Sequence, residues 1–282
     1  MIRPIHIGLV NNMPDSALLA TERQFRALLA EAADGLPVRL SLFGIAEVPR
    51  SEHAKSRMSK SYSSIDVLWD SCLDGIIVTG AEPRLPSLTE EPYWNTLAQV
   101  IDWAQENTYS GIYSCLAAHA AVLRMDGIRR RTLNDKLCGV YECATISDHR
   151  LTEGLPARSW MPHSRWNDIP ENALSSSGYR IVTRSKEAGV DTFVKQGKSL
   201  AVFFQGHPEY EAGSLSLEYR RDERRFLNGE STIRPLPPHG LRNSWHFSAV
   251  QMYRNWLRYL SEQIQGRVEY STEARAQWTA SR

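Results

Sequence analysis

The sequence predicts an α/β fold whose mostly parallel sheet is flanked by helices on both faces and extended by antiparallel strands. Two observations carry this prediction. In the first part of the chain, continuous apolar runs of four to eight residues alternate with helix-like segments, a pattern typical of parallel strands covered on both faces. In the middle of the chain, β-branched and aromatic runs follow one another closely, which favours antiparallel additions to the same sheet.

The individual elements follow from these patterns in chain order. Strands are predicted at IHIGLV (5–10), PVRLSLFGI (37–45), LDGIIVTG (73–80) and SGIYSCL (110–116). The closely spaced strands lie in KLCGVYECATIS, around MPHSRWN, and in YRIVTRS, GVDTFVKQ and SLAVFFQGHPE. Apolar residues at helical spacing predict helices after NNMP, over 90–107, 116–124, 212–230 and 247–265. The segment RPLPPHG (234–240) is rich in helix and strand breakers and is predicted to be a loop.

Composition limits the possible functions. The 282 residues show no repeat or linker, so we expect a single domain over 1–282 with a polar, frayed tail over 267–282. A net charge of +1 does not favour nucleic acid as a partner. No apolar run approaches the roughly 20 residues that span a bilayer, and the start does not resemble a signal peptide. We therefore expect no membrane partner and a cytoplasmic location.

The four cysteines predict neither a disulfide scaffold nor a metal site. Cys138 and Cys143 are five residues apart and have no matching second pair, whereas structural zinc needs four ligands in recognised spacings. No G-x-G-x-x-G follows a strand and no P-loop is present, so the sequence offers no cradle for nucleotide phosphates. No bound metal or cofactor is predicted.

Cys115 lies where the strand SGIYS meets the Ala-rich helix LAAHAAVL. In parallel α/β sheets, ligands bind outside the carboxyl ends of the strands, and the positive end of a helix dipole stabilises a thiolate. A free cysteine is also commonly a buried packing residue. The local sequence leaves both interpretations open.

The stretch FFQGHPEYE supplies the two groups that would activate a thiol. His207 and Glu209 follow an apolar strand and a glycine. Residues two apart on an extended segment face the same side, so both side chains are predicted to meet Cys115. In such a Cys–His–Glu relay the imidazole takes the proton, and the carboxylate orients and stabilises the imidazole. His119, four residues after Cys115, is interpreted as a helix-packing residue.

SCLAAHAA and QGHPEYE together resemble the class I glutamine amidotransferase-like fold, which is flavodoxin-like. More narrowly, the chain resembles the homoserine O-succinyltransferase (homoserine transacylase) family. The resemblance rests on blocks that occur in the family's order over nearly the whole chain: NNMPDSALLATERQF, GIIVTGAEP, EEPYW, KLCGVYE, PHSRWND and GHPEYE. Each block alone is a weak signal, whereas their order and spacing together are specific.

The resemblance implies an acyltransferase of methionine biosynthesis that works by a ping-pong mechanism. Cys115 would carry the acyl group, His207 would be the general base, and Glu209 its partner. An acyl-CoA would be a co-substrate, L-homoserine the acceptor, and the protein a homodimer. Acetyl-CoA as the donor and serine as the acceptor remain alternatives, as do a glutamine amidotransferase-like cysteine hydrolase and a binding protein that kept the fold.

The resemblance also assigns substrate contacts. Lys136 and Ser164 would contact the acceptor, and Arg221 would hold its α-carboxylate through a guanidinium fork. Each assignment has an ordinary alternative: an exposed lysine, a turn hydroxyl and a solvated arginine. The neighbouring arginines of EYRRDERRF are not distinguished from Arg221 by physical argument.

The loop TGAEPR departs from the family pattern. The amide of Leu116 is one predicted donor to the oxyanion, and alignment puts the second on Pro83, which has no N–H. Either Arg84 supplies that amide or another donor does. The position that separates succinyl from acetyl donors aligns with Arg84, whose cation would pair with a succinyl carboxylate or else face solvent. We favour succinyl-CoA.

Overall fold

The computed structural model describes the backbone of residues 3–280 and the side chains of residues 3–267. Its strands are β1 (Ile5–Val10), β2 (Val38–Gly44), β3 (Ser63–Ser64), β4 (Gly75–Val78), β5 (Ser110–Ser114), β6 (Arg131–Thr145), β7 (Arg158–Asp168), β8 (Arg180–Ser185), β9 (Gly189–Gln196) and β10 (Leu200–Phe204). Its α-helices are α1 (Asp15–Ala32), α2 (Glu52–Met58), α3 (Ile65–Trp69), α4 (Trp94–Asn107), α5 (Leu116–Asp126), α6 (Glu171–Ser176), α7 (Ser214–Leu227) and α8 (His246–Ala280).

All ten strands form one sheet with the order β3-β2-β1-β4-β5-β10-β9-β8-β6-β7. The six strands from β3 to β10 in this order pair in parallel. The remaining pairs, from β10–β9 to β6–β7, are antiparallel. The predicted α/β class, with a parallel part and antiparallel additions, is therefore confirmed.

Two apolar layers cover the sheet, one on each face. On one face, Phe25 of α1 and Trp256 and Leu260 of α8 pack against β1 and β10. On the other, Leu97 of α4 and Ala121 of α5 pack against β4 and β5. Strands buried on both faces explain why the parallel part is read from the sequence as continuous apolar runs.

Several elements differ from the sequence prediction. The helix predicted over 90–107 begins at Trp94, after a short 3₁₀ turn over Leu88–Glu90. The strand predicted from Lys136 begins at Arg131, with an irregular register between Thr132 and Leu137. The short elements β3, α2, α3 and α6 were not predicted, because two to seven residues carry too little periodicity.

The end of the chain is described only in part. Helix α8 runs to Ala280, and the side chains from residue 268 onward lie outside the described residues. The frayed tail predicted over 267–282 therefore remains a prediction. Within the described part, no helix combines the length and the apolar character that crossing a bilayer would need.

The sheet brings the two key sequence segments to the same edge. Strands β5 and β10 are parallel neighbours, and Ser114 pairs in register with Phe204. Cys115 follows β5 directly, and His207 lies three residues after β10. Both therefore lie at the carboxyl ends of adjacent parallel strands, where α/β proteins bind ligands.

Candidate active site

Cys115 occupies a sharp turn between β5 and α5. Its backbone has φ 51° and ψ −110°, a left-handed conformation that non-glycine residues adopt rarely. Such strain costs about 1–3 kcal/mol and is concentrated at functional sites. The Cys115 N–H donates to the carbonyl of Phe204 at 2.7 Å, which ties the turn to the end of β10. The side chain is half-buried, so Cys115 is not sealed in the core.

His207 lies between Cys115 and Glu209. Its Nδ1 is 2.8 Å from Oε1 of Glu209, and its ring stacks on Tyr210 with 4.1 Å between centroids. The His207 N–H donates to the carbonyl of Pro162 at 2.8 Å, which anchors the segment to β7. With Nδ1 committed to the carboxylate, Nε2 is the ring nitrogen left for the thiol. The structure thus brings together the three residues of the predicted relay.

The electrostatics of this group favour a protonated imidazole. Burial lowers the pKa of His207, but the charges of Cys115 and Glu209 and hydrogen bonds with both outweigh it, so this pKa lies well above its ordinary value. The Ser114 hydroxyl also donates to Glu209 at 3.3 Å. The arrangement therefore stabilises an imidazolium beside the sulfur, as a thiolate nucleophile requires.

The relay opens into a cleft with about 960 Å³ of empty space, part of which is open to solvent. The cleft is lined by the ends of the parallel strands, by the loop from Thr79 to Pro83, by parts of β6 and β7, and by one face of α7. The predicted contacts Lys136, Ser164 and Arg221 all line it together with Cys115. Sequence positions more than 100 residues apart therefore converge on one cavity.

Lys136 is buried rather than an ordinary exposed lysine. Its Nζ lies 2.5 Å from Oδ2 of Asp222 and 4.0 Å from Oε2 of Glu218, and its side chain is 9% exposed. The hydroxyls of Ser164 and Tyr210 both donate to Glu218, at 2.6 Å in the case of Tyr210. The two carboxylates therefore link β6, β7 and α7.

Helix α7 presents one charged face to the cleft. Arg221 pairs with Asp222 at 2.9 Å, and Arg225 pairs with Glu82 from the loop that follows β4. Arg220 and Arg224 are exposed and do not line the cleft. The helical repeat thus puts Arg221 on the face toward the cleft and Arg220 and Arg224 on the exposed side. The sequence alone did not distinguish these arginines. We call Lys136, Glu218, Arg221, Asp222 and Arg225 the charged wall.

The charges in this wall hold one another ionised. Burial works to raise the pKa of the Glu218 carboxyl, but the charges of Lys136 and Arg221 bring it below its ordinary value. The pKa of Asp222 is lowered in the same way, against its own burial, chiefly by Lys136. The wall offers both carboxylates and cations to a ligand, which suits a zwitterion.

Arg84 is the predicted site residue that the structure does not bring to the cleft. Its side chain is exposed and does not line the cavity. The N–H groups of Arg84 and Leu85 donate to Oε1 of Glu91 at 2.5 and 2.6 Å, so the Arg84 amide is not free for an oxyanion. Pro83 lines the cleft and has no N–H.

Leu116 lies at the start of α5, where the first amides of a helix have no partner within it. A Cβ added to Gly80 would lie 2.7 Å from Leu116 Cβ and 3.1 Å from Leu116 N. The Gly80 backbone therefore runs close beside the Leu116 amide, a spacing that glycine permits. Ala81, the next residue, is buried and lines the cleft.

His119 is held as a structural residue. It is 2% exposed, and its Nε2 is 3.1 Å from Oε1 of Gln205. Burial, followed by the charges of Arg165 and Arg130, lowers its pKa to about 3. The ring is therefore neutral and packs α5 against the end of β10.

One group of potential metal ligands occurs among the described residues: Cys143, His163 and Asp191, all buried, with ligand atoms within 4.8 Å of one another. Burial raises the pKa of the Cys143 thiol far above its ordinary value, whereas a metal needs the thiolate. Arg165 Nε donates to Nδ1 of His163 at 3.3 Å, so the ring proton is on Nε2, 3.3 Å from Asp191. These contacts describe a buried imidazole facing a carboxylate rather than an open ligand set.

Residues that were not predicted from the sequence also line the cleft, among them Glu218, Asp222, Tyr210 and Arg130. Glu218, Arg221, Asp222 and Arg225 are spaced at i, i+3, i+4 and i+7 on α7. That spacing puts them on one helix face and was readable in the sequence. What that face meets was not readable, because it depends on β6 and β7 folding back beside it.

The fold and the Cys–His–Glu arrangement define a class I glutamine amidotransferase-like α/β protein. Solved structures agree on the fold. A glutamine amidotransferase from Thermotoga maritima has a TM-score of 0.59 at 12% identity, over 92% of this chain and 99% of that chain. A glutamine amidotransferase from Methylobacillus flagellatus has a TM-score of 0.57 at 17% identity, over 92% and 96%.

Sequence comparisons identify the family within this class. The pattern of the family described as "HTS: Homoserine O-succinyltransferase" matches residues 1–267. The homoserine O-succinyltransferase of Methylorubrum extorquens is 48% identical over 84% of this chain and 70% of that protein. The homoserine O-succinyltransferase of Rhodopseudomonas palustris is 50% identical over 81% of this chain and 68% of that protein. The homoserine O-succinyltransferase of Bradyrhizobium japonicum is 49% identical over 82% of this chain and 72% of that protein. The chain belongs to the homoserine O-succinyltransferase family of acyltransferases.

Proposed function

We propose that the protein transfers a succinyl group from succinyl-CoA to the hydroxyl of L-homoserine, in methionine biosynthesis, through a thioester on Cys115. The observation that supports this most is the position of His207, with Nδ1 on Glu209 and its other nitrogen left for Cys115. The names of the relatives support the donor and the acceptor. CoA is a co-substrate here, and the proposal needs no bound cofactor.

In the first half-reaction, the Cys115 thiolate attacks the thioester carbonyl carbon. The tetrahedral intermediate collapses as its bond to the CoA sulfur breaks, and the leaving thiolate takes a proton from the His207 imidazolium. The products are CoA thiol, a neutral imidazole and a succinyl thioester on Cys115. Glu209 keeps the ring oriented and stabilises the imidazolium before the proton leaves.

In the second half-reaction, His207 removes the proton of the acceptor hydroxyl as its oxygen attacks the acyl-cysteine. The carbon–sulfur bond to Cys115 breaks and restores the thiolate–imidazolium pair. We assign the acceptor's α-carboxylate to Arg221 and its other polar contacts to Lys136 and Ser164. All three line the cleft beside Cys115, and the carboxylates of the charged wall suit an α-ammonium group.

Both half-reactions pass through an oxyanion that needs preorganised N–H donors. We assign one donor to the Leu116 amide, which has no helical partner. We assign the second to the Ala81 amide, because the Gly80 backbone runs beside Leu116 and Ala81 lines the cleft. This choice replaces Pro83, which has no N–H, and Arg84, whose N–H is bonded to Glu91.

Two further points belong to the proposal. We expect a homodimer, as the family resemblance implies, and a cytoplasmic enzyme, as a reduced cysteine nucleophile requires. Sedimentation velocity at micromolar concentration tests the first expectation. A monomer with full activity would contradict it.

The test of the mechanism is intact mass after brief exposure to succinyl-CoA without acceptor. We expect a gain of one succinyl group that is absent in Cys115→Ser and is released on adding L-homoserine. Acetyl-CoA and L-serine, run in parallel, test the alternative donor and acceptor. Ammonia release from glutamine, with no acyl adduct from either CoA ester, would refute the transferase and support a hydrolase.

A further inference from the structure

The cations that line the cleft are not equally paired. Besides histidines, five cationic side chains line it. Four have a carboxylate partner: Lys136 with Asp222 at 2.5 Å, Arg165 with Asp168 at 3.3 Å, Arg221 with Asp222 at 2.9 Å, and Arg225 with Glu82. The fifth is Arg130, and no carboxylate oxygen of the described residues lies within 4.0 Å of its nitrogens. Among the cleft cations of the described residues, Arg130 is therefore the one whose charge no carboxylate balances at close range.

The surroundings of Arg130 contain other unsatisfied groups. Its Nη1, the Oε2 atom of Glu91 and the hydroxyl of Tyr93 are buried and have no hydrogen-bond partner among the described residues. Buried polar atoms without partners are rare and costly in native structures. Burial also lowers the pKa of Arg130, against the opposing charges of Tyr93, Glu91 and Cys115. An anion beside the guanidinium would give Nη1 of Arg130 an acceptor.

The position of Arg130 relates it to the acyl group rather than to the acceptor. It lines the cleft together with Cys115, and a charge on Cys115 raises the pKa of the Arg130 guanidinium. The acceptor contacts of the charged wall already have their counter-charges. A succinyl group on Cys115 carries its free carboxylate at the far end of a short chain, within reach of a nearby side chain. A guanidinium binds such a carboxylate through two parallel hydrogen bonds.

We propose that Arg130 binds the free carboxylate of the succinyl group and so selects the acyl donor, an inference that rests on the proposed function. Glu91 does not compete effectively for Arg130, because its Oε1 is already held by two backbone N–H groups and Oε2 forms no ion pair with the guanidinium. Arg84, which the sequence favoured for this role, is exposed and outside the cleft.

The test compares acylation of Cys115 by succinyl-CoA and by butyryl-CoA, in which a methyl group replaces the carboxylate. Intact-mass measurements give the single-turnover rates of acylation for the unchanged protein and for three variants: Arg130→Gln, Arg130→Lys and Arg84→Gln. Arg129→Gln, an exposed neighbour, is the matched control. The rate of Cys115 alkylation by neutral iodoacetamide shows in each variant whether the thiol is intact.

We expect Arg130→Gln to slow acylation by succinyl-CoA about 30-fold or more, to the rate seen with butyryl-CoA. Lost hydrogen bonds to a charged group account for a change of this size. In Arg130→Gln, the rates of acylation by butyryl-CoA and of alkylation by iodoacetamide should stay within about two-fold of those of the unchanged protein. Arg130→Lys should keep part of the preference for succinyl-CoA over butyryl-CoA, and Arg129→Gln should keep all of it. An unchanged succinyl preference in Arg130→Gln, equal losses with both donors, or a selective loss in Arg84→Gln would overturn the inference. If the unchanged protein is not acylated by succinyl-CoA, the proposed function itself fails.

Discussion

The two sides of the cleft are held in place by different means. On the relay side, the backbone fixes the positions of the side chains. Cys115 and His207 follow adjacent parallel strands that pair in register, and the Cys115 N–H bonds directly to the carbonyl that ends β10. The backbone of His207 is held as well, because its N–H donates to the carbonyl of Pro162. The relay is thus an extension of the sheet.

On the side of the charged wall, ion pairs between side chains hold the residues in place. Lys136 comes from the irregular part of β6, and its partners Glu218 and Asp222 come from α7. Apart from these contacts, α7 buries little, since Ser214 and Leu215 are its buried residues. The comparison shows that the chemistry depends on sheet register on one side and on charge balance on the other. Variants can test the two dependences separately.

The largest effect is expected from His207→Ala, which removes the base but no backbone contact. The rate of acyl transfer should fall about 10⁴-fold, as for a lost member of a catalytic relay. The variant is assayed well below its own thermal midpoint, because Glu209 also loses its buried partner. His246→Ala, at an exposed histidine paired with Glu31, is the control and should keep full activity. Residual activity above about a tenth of the unchanged rate would show that His207 is not the base.

The same contrast explains what the sequence could predict of the fold. Apolar runs mark the parallel strands, so β1 was predicted to the residue, and β2, β4 and β5 to within two residues at either end. The antiparallel strands were recognised, but the irregular start of β6 was missed. In that stretch, residues 131–136 are mostly exposed and polar. The strand begins there because Arg131 and Thr132 pair with β7, which periodicity does not reveal.

The site divides in the same way. Cys115, His207 and Glu209 were predictable because a strand end is visible in sequence and the sheet determines what lies beside it. Arg130 and Glu218 were not, because nothing in their local sequence distinguishes them from solvated charges. Arg84 was assigned by alignment of a loop, and in the structure Glu91 holds that loop so that the arginine faces outward. Loop alignment does not determine side-chain direction.

The next largest effect is expected from Lys136→Met in the charged wall. The substitution leaves the partly buried carboxylates of Asp222 and Glu218 without their main cation, which costs about 3 kcal/mol for a broken pair that is largely shielded from solvent. Urea unfolding at pH 7 measures the loss. Lys198→Met, which breaks an exposed pair with Glu106, should cost less than about 1 kcal/mol. Equal losses in the two variants would contradict the proposed charge balance.

The loss of unfolding free energy in Lys136→Met should become smaller as the pH falls. In the unchanged protein, the pKa values of Glu218 and Asp222 lie below 4.5 and 3.8, their values without such partners. Their ionisation therefore contributes stability that is present above those values and is lost as pH falls through the folded-state pKa values. The difference between the variant and the unchanged protein should be largest near pH 7 and should narrow below about pH 4.5. A difference that grows on acidification would mean that Lys136 does not act through these carboxylates.

The smallest effect, and the sharpest test of the relay side, is expected from Gly80→Ala. The new Cβ would lie 2.7 Å from Leu116 Cβ and 3.1 Å from Leu116 N, so the start of α5 must shift, at a cost of about 1–3 kcal/mol. Gly213→Ala is the matched control, because a Cβ there meets nothing within 4 Å and φ is −88°. Gly213 is the N-cap of α7, where alanine is less favourable, but alanine also restricts the unfolded chain. These two effects oppose each other, so the change in stability should stay below about 1 kcal/mol.

Thermal unfolding and kcat, measured together, distinguish two explanations of the Gly80→Ala effect. If backbone packing sets the relay, moving Leu116 also moves the turn at Cys115 and one oxyanion donor, so kcat should fall about tenfold or more, since small displacements of catalytic groups are costly. A variant that loses stability but keeps its kcat would show that the relay tolerates a shift of α5. The sheet register alone, without the packing of Gly80 on Leu116, would then be sufficient to align the sulfur with the imidazole.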